Sequence, residues 1–140
     1  MNLWRTYDRL RAFEDELFGR YDLSAQQYNA LRLLRAEYPG SLQTLDLAAR
    51  LISRAPDITR LVDKLDERGL VERHRPPGNR RVVQVAITRA GLALLDRLSD
   101  EVRACHERQL GHLSAAKLRA LTALLSDARA PHEGEAAPKL

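Results

Sequence analysis

Residues 70–87 interrupt an otherwise helical apolar pattern, and this interruption constrains the fold more than any other feature of the chain. On both sides of it, apolar side chains recur every three or four residues, as on one face of an amphipathic helix. Within it, residues 70–75 suit an extended strand, residues 76–79 must turn, and residues 82–87 suit a second strand. The sequence therefore predicts a mainly α fold with one small β-hairpin.

Short helices precede this hairpin. Ser24 with Gln27 has the pattern of a capping box, and it predicts a helix that ends at residues 39–40. A short helix over residues 44–51 follows, and Ser53 is the predicted N-cap of a third helix, which ends at Gly69. Two helices joined by a turn of about four residues form a helix-turn-helix. With the hairpin after them, they predict a winged helix-turn-helix over residues 24–88.

Longer amphipathic segments flank this lobe. The first covers residues 1–22, and the second covers residues 89–130, with a break at Gly111 and an N-cap at Ser114. A lone chain would leave much of their apolar surface exposed, which favours dimerisation through the N- and C-terminal helices. The predicted dimerisation residues are Leu3, Leu10, Leu17, Leu118, Leu121 and Leu125. We read the 140 residues as one domain that ends in a flexible tail at residues 131–140.

Positive charge is concentrated around the hairpin. The formal net charge is +4, yet residues 68–89 alone hold six arginines against one acidic residue, Glu72. Such a cluster is typical of nucleic-acid binding, although a charged surface exposed only to solvent explains the excess of arginine equally well. For Arg68 and Arg73, a salt bridge to Glu67 or Glu72 is an equal alternative.

Several classes of protein are excluded by what the sequence lacks. No apolar run approaches the roughly 20 residues of a membrane helix, and charges in the first nine residues argue against a secretory signal. The single cysteine, Cys105, fits a reducing cytoplasm, where we expect the protein to be located. There is no phosphate-binding loop, nucleophile elbow or triad partner for the four histidines, so we expect no enzyme and no cofactor.

A set of short motifs in a fixed order resembles the MarR family of winged-helix transcription regulators. The resemblance covers roughly residues 3–130, and its motifs lie at residues 46–51, 58–65, 69–73, 79–81 and 87–91. It implies a DNA-binding regulator that forms a homodimer, intertwined through its N- and C-terminal helices, and we expect a repressor that a small-molecule ligand releases. One position departs from the family pattern. The wing usually carries Asp-x-Arg, and here Asn79 takes the Asp position, so Arg81 would lack a charged partner.

For DNA binding, we expect the helix over residues 54–68 to enter the major groove and the basic wing, residues 72–82, to follow the backbone and minor groove. Arg54 and Arg60 are candidates for base or phosphate contacts, and Asp57 either accepts from cytosine or holds Arg54 or Arg60. The full predicted set is Arg54, Pro56, Asp57, Thr59, Arg60, Lys64, Arg73, Arg75, Arg80 and Arg81. A near-palindromic operator on double-stranded DNA would match a two-fold dimer. The alternative is a winged-helix module that binds only proteins.

Regulation is less clearly encoded. Family members often bind small aromatic or phenolic effectors, which would here contact Trp4, Tyr7, Arg11, Tyr28 and Tyr38. The simpler interpretation of each is core or dimer interface. Cys105 lies in an apolar helical row and is interpreted as a buried packing residue rather than a redox sensor. The histidines near it lack the i, i+4 spacing of helical zinc sites, so we expect no metal.

Overall fold

The computed structural model describes residues 1–52 and 57–133. Its helices are α1 (Asn2–Gly19), α2 (Ala25–Glu37), α3 (Thr44–Arg50), α4 (Ile58–Glu67), α5 (Arg89–Leu110) and α6 (Ala115–Arg129), and a 3₁₀ turn follows at Ala130–His132. Its strands are β1 (Leu42–Gln43), β2 (Val71–His74) and β3 (Gln84–Ile87). The chain divides into two compact units, Met1–Cys105 and His106–Leu140. The predicted mainly α winged-helix fold is confirmed.

Side-chain caps determine where the described helices begin. Ser24 Oγ accepts from the backbone N–H of Gln27 at 3.1 Å, and Gln27 Oε1 accepts from the N–H of Ser24 at 2.9 Å, so the predicted capping box is present. Ser114 Oγ accepts from the N–H of Lys117 at 3.3 Å, which confirms the cap of α6. The described part of the third helix begins at Ile58 with Asp57 as its N-cap. Its predicted cap, Ser53, lies outside the described residues.

The sheet has three strands rather than the two that the sequence predicts. β3 lies in the centre and pairs antiparallel with β2 and with β1, where Leu42 stands opposite Val85. The start of α3 is tied to the same edge, because the N–H and the hydroxyl of Thr44 both donate to the carbonyl oxygen of Val83, at 3.0 and 3.2 Å. The base of the hairpin is therefore attached to the start of α3 along the β3 edge.

The core of the first unit lies where α2, α3, α4 and the sheet meet α5. Leu31, Leu47, Leu65 and Leu98 are fully buried in it. Cys105 is also buried, as the apolar row of α5 predicts. The prediction that Leu17 contacts a partner protomer is corrected by the structure. Leu17 is only 3% exposed and lies in the core of its own chain. Its place near the end of α1, against the core cluster, explains the difference.

Other large apolar side chains of the terminal helices are not covered within the single chain. Leu3 and Trp4 of α1 are 61% and 78% exposed. In the second unit, α6 buries none of its described residues, and Leu124 and Leu125 are exposed. No described helix is long and apolar enough to cross a membrane.

Candidate nucleic-acid interface

The exposed face of α4 carries positive charge. Leu61, Val62 and Leu65 point into the core, which leaves Arg60 and Lys64, one turn apart, on the solvent side. Neither forms an ion pair with a described residue. The Asp57 carboxylate accepts from the N–H of Arg60 at 2.9 Å, so its observed contact is a helix cap. This contact to the backbone of Arg60 is neither of the two roles predicted for Asp57, and both roles stay predictions.

A groove of about 960 Å³ opens between α4 and the hairpin. Thr59, Val62 and Asp66 line it from α4, and Leu45 lines it from the start of α3. The hairpin contributes Arg73, His74, Arg75, Arg81, Val82 and Val83. Four residues of the predicted DNA-binding set, Thr59, Arg73, Arg75 and Arg81, are thus brought to one groove whose wall is partly basic.

Arg73 ties α4 to the hairpin. Its Nε and Nη2 donate to Asp66 Oδ2 at 3.0 and 2.9 Å, and its Nη1 donates to Asp63. The hydrogen bonds that Arg73 donates to Asp66, more than the nearby charge of Asp63, raise the pKa of Arg73 above its ordinary value. The sequence predicts Arg73 as a DNA contact or as a salt-bridge partner of a glutamate; its observed partners are instead Asp63 and Asp66, and the DNA contact stays a prediction. The charge of Arg73 is already used within the protein by two carboxylates one turn apart on α4.

The wing tip is arranged by polar contacts to its backbone. Arg75 Nη1 donates to the carbonyl oxygen of Arg80 at 2.5 Å. Asn79 Oδ1 accepts from the backbone N–H of Arg81 at 3.2 Å, so Asn79 shapes the turn and does not hold the guanidinium of Arg81. Arg80 and Arg81 are exposed, and neither forms an ion pair within the described part of the chain. These two arginines remain available to an external anion.

Two residues of the predicted set, Arg54 and Pro56, lie outside the described residues. Two residues that the sequence analysis did not single out, Asp63 and Asp66, shape the site, and Arg68 has partners that the sequence analysis did not predict. The spacing of the two aspartates, i and i+3 on α4, is a signal that could have identified them as partners of a nearby arginine. Neighbouring residues give no indication of the partners of Arg68, because these are the carbonyl oxygens of Tyr21 and Asp22, which lie 47 and 46 residues earlier in the chain. Its predicted partner Glu67 is therefore wrong.

The five predicted effector residues are not equivalent in the single chain. Trp4, Tyr7 and Tyr38 are exposed, and Arg11 forms an ion pair with Asp15 at 3.3 Å. Tyr28 is half-buried and stacks on Phe18 with a ring-centroid distance of 4.5 Å. Burial raises the pKa of Tyr28, so its hydroxyl stays neutral. None of the five lines the groove between α4 and the hairpin.

Metal ligands are not gathered anywhere in residues 1–52 and 57–133: no group of three or more His, Cys, Asp or Glu side chains there could hold an ion. The described residues therefore offer a surface of exposed cations on α4 and the hairpin, with the groove between them.

Comparison with known proteins decides the family. The MarR family model matches residues 23–83. The homoprotocatechuate degradative operon repressor of Escherichia coli is 31% identical over 108 residues, which cover 77% of this chain and 72% of the relative. The chain belongs to the MarR family. The predicted family is thus confirmed, and with it the class of DNA-binding transcriptional regulator.

Two solved structures have the same fold as this chain. The MarR transcription factor from Planctomyces limnophilus is 60% identical, with a TM-score of 0.74, covering 89% of this chain and 90% of that one. BpsR from Bordetella bronchiseptica is 25% identical, with a TM-score of 0.79, covering 89% of this chain and 88% of that one. The BpsR structure concerns regulation of its DNA binding by 6-hydroxynicotinic acid.

Proposed function

We propose that this MarR-family regulator binds double-stranded DNA as a homodimer and represses transcription from a near-palindromic operator. The observation that carries the proposal is the set of exposed cations on α4 and the wing: Arg60, Lys64, Arg80 and Arg81. No described carboxylate pairs with any of them, although Asp63 and Asp66 lie on the same helix and pair with Arg73. Cations left without a partner on a helix-turn-helix are suited to phosphates and to guanine.

In this proposal α4 enters the major groove, whose width of about 12 Å admits a helix. Arg60 lies at the start of α4, where residues of a reading helix contact base edges, and its fork suits guanine. Lys64 lies one turn further along and meets phosphate as a point charge. Thr59, on the groove side of α4, contacts phosphate or the thymine methyl group.

The wing provides contacts that do not depend on sequence. Arg80 and Arg81 lie at the tip of the hairpin, where its base is fixed to α3 by Thr44 and to α4 by Arg73. A rigid hairpin loses little conformational entropy when its tip meets the DNA backbone. We infer that Arg80 and Arg81 bind phosphates or the minor groove, and that Arg75 contributes by holding the tip.

Dimerisation is supported by the apolar side chains that the single chain leaves uncovered on α1 and α6. Leu3, Trp4 and Leu125 are exposed, and Leu10, Leu118 and Leu121 are half-buried. Uncovered apolar surface of this kind marks protein interfaces. A two-fold dimer would present two reading helices to half-sites about one DNA turn apart, which explains the near-palindrome.

We further propose that a small aromatic effector releases the repressor from DNA. The names of the relatives support this class of ligand, since one represses a homoprotocatechuate degradative operon and another is regulated by 6-hydroxynicotinic acid. In this chain Trp4, Tyr7 and Tyr38 would complete a crevice only together with the partner protomer, and Arg11 would bind a carboxylate.

The test is binding of the purified protein to DNA from its own upstream region, measured by fluorescence anisotropy at several salt concentrations against scrambled DNA. We expect a dimer by light scattering, one dimer per near-palindrome, and affinity at least about a thousandfold above that for scrambled DNA. Binding that is weak, indifferent to sequence and lost near physiological salt would contradict the proposal and favour a protein-binding module.

The effector is tested in the same assay. Aromatic acids, with 6-hydroxynicotinic acid as the first probe, are titrated into the protein–operator complex. Release of DNA by wild type and a weaker response in Trp4→Ala would support the crevice, and Trp4→Phe serves as a matched control that keeps an aromatic ring at the same position. Release that is identical in Trp4→Ala would place the effector elsewhere.

A further inference from the structure

The C-terminal end of α4 is fastened to the turn between α1 and α2 by Arg68. Its Nη1 donates to the carbonyl oxygen of Asp22 at 2.7 Å, and its Nη2 donates to that of Tyr21 at 3.0 Å. The guanidinium fork thus spans two successive carbonyl groups with two separate nitrogens, a fixed planar geometry that the single ammonium of a lysine does not provide. Arg68 therefore connects the reading helix to a segment 46 residues earlier in the chain.

The same turn is fastened to α5 on its other side. The Tyr21 hydroxyl donates to the carboxylate of Glu101, which also forms an ion pair with Arg20 at 3.1 Å. The contacts therefore run in series from α4 through Arg68 to the turn, and from the turn through Tyr21 to Glu101 on α5. All of these residues lie in the first unit.

A second attachment lies next to the first. Thr88, just before α5, donates from its hydroxyl to the carbonyl oxygen of Gly69 at 2.6 Å and from its N–H to that of Leu70 at 3.1 Å. Gly91 allows this approach, because a Cβ there would collide with the carbonyl oxygen of Leu70. The residues that follow α4 are thus held to α5, and Arg68 adds a second connection, from the C-terminal end of α4 to the turn between α1 and α2.

We propose that Arg68 is a positioning residue for operator recognition: it sets the angle of α4 relative to α1 and α5, and thereby the separation of the two reading helices in the dimer. The proposal rests on the dimeric DNA-binding function proposed above. Arg68 itself has both of its terminal nitrogens engaged by carbonyl oxygens, so it is not assigned a DNA contact.

The length of α4 makes small angles matter. Its ten residues span about 15 Å, so a rotation of about 10° at its last turn moves its first turn by about 3 Å. That displacement approaches the rise of one base pair, about 3.4 Å. A change in the Arg68 contact would therefore alter the preferred half-site spacing in the operator more than it alters the strength of each contact.

The experiment compares three operators whose half-sites are at the natural spacing, one base pair closer and one base pair further apart. Wild type, Arg68→Gln and Arg68→Lys are measured by anisotropy over a salt series. Arg80→Gln is the control for a phosphate contact. We expect Arg68→Gln to reduce the preference for the natural spacing by about three- to thirtyfold, with an unchanged salt slope. Arg68→Lys should have an intermediate effect, because it keeps the charge but loses the fork.

Arg80→Gln should weaken binding equally at all three spacings and reduce the salt slope. Tyr21→Phe provides an independent variant, since it removes the contact to Glu101 without touching α4. If the contacts act in series, Tyr21→Phe should shift the spacing preference in wild type but add little in Arg68→Gln.

Two results would overturn the inference while leaving the proposed function intact. In the first, Arg68→Gln weakens all spacings equally and lowers the salt slope, as a phosphate contact would. In the second, folded Arg68→Gln and Tyr21→Phe both keep the wild-type spacing preference. Wild type that binds none of the three operators specifically would instead refute the proposed function.

Discussion

Replacing Arg73 by glutamine separates two roles that an arginine in a basic wing can have: holding the wing to the rest of the protein, and contacting DNA. Arg73 bonds both Asp63 and Asp66, so we expect the substitution to lower the free energy of unfolding and to leave the salt dependence of DNA binding nearly unchanged. Arg81→Gln is the matched control, because Arg81 lies on the same hairpin, is exposed and forms no ion pair with the described residues. Arg81→Gln should leave the free energy of unfolding nearly unchanged and should reduce the salt dependence of DNA binding.

The size of the stability change follows from exposure. The side chains of Arg73, Asp63 and Asp66 are 37%, 42% and 34% exposed, so solvent screens both ion pairs. Partly exposed pairs contribute up to about 1 kcal/mol each, and the forked geometry at Asp66 favours the upper end. We expect Arg73→Gln to cost about 1–2 kcal/mol of unfolding free energy. The loss should shrink in high salt.

The size of the binding change follows from counterion release. The logarithm of affinity falls with the logarithm of salt concentration by about 0.9 per neutralised phosphate. A substitution occurs twice in a dimer, so Arg81→Gln should reduce the slope by about 1.8 if each Arg81 contacts one phosphate. For Arg73→Gln the expected change in slope is close to zero.

Stability is measured by urea unfolding at one fixed protein concentration, because a dimer's apparent stability depends on concentration. Binding is measured by anisotropy on the same preparations over a salt series. The reasoning would be refuted if Arg73→Gln kept wild-type stability and lost as much salt slope as Arg81→Gln. Arg73 would then leave its carboxylates to bind DNA.

Three further predictions concern single side chains. Arg60→Ala should weaken the preference for one base at one operator position by about 1–3 kcal/mol of binding free energy. Competition with base-substituted operators measures this preference. A uniform loss of affinity at every operator would instead assign Arg60 to a phosphate contact. Asp57→Ala should lower the free energy of unfolding by about 1 kcal/mol, because it removes the N-cap of α4. Urea unfolding compares it with Asp57→Ser, which keeps a capping oxygen. An equal loss of unfolding free energy in both variants would argue against capping. The hydrogen bond to Glu101, and burial after it, raise the pKa of Tyr21, so the neutral hydroxyl stabilises the fold below about pH 10 and this contribution is lost as pH rises through the raised pKa. Alkaline urea titrations should therefore show a steeper loss in wild type than in Tyr21→Phe, and parallel curves would contradict it.

Local signals in the sequence predicted the features that depend on neighbouring residues. The capping box at Ser24 and Gln27 and the cap at Ser114 involve groups only three residues apart, so residue type and spacing are sufficient. The hairpin was predicted for the same reason, because its turn lies between adjacent strands. These predictions hold without knowledge of the tertiary fold.

Features that depend on distant residues were not predicted. β1 is only two residues long, and its strand character comes from pairing with β3, about 40 residues later. Leu17 shares the apolar stripe of α1 with Leu10, and the periodicity gives no indication of which end of the stripe the core of the same chain covers. The choice is made by tertiary packing.

The basic cluster demonstrates why a count of charges overestimates a DNA interface. Among the arginines of residues 68–89, Arg68 donates to carbonyl oxygens, Arg73 to carboxylates and Arg75 to the backbone of the wing tip. Each of these fixes one protein segment against another, while Arg80 and Arg81 have no described carboxylate partner. The same residue type thus builds the rigid support and supplies the contacts that the support directs. A substitution in the first group should change geometry or stability, and one in the second should change salt-dependent affinity, so the two groups can be distinguished in solution.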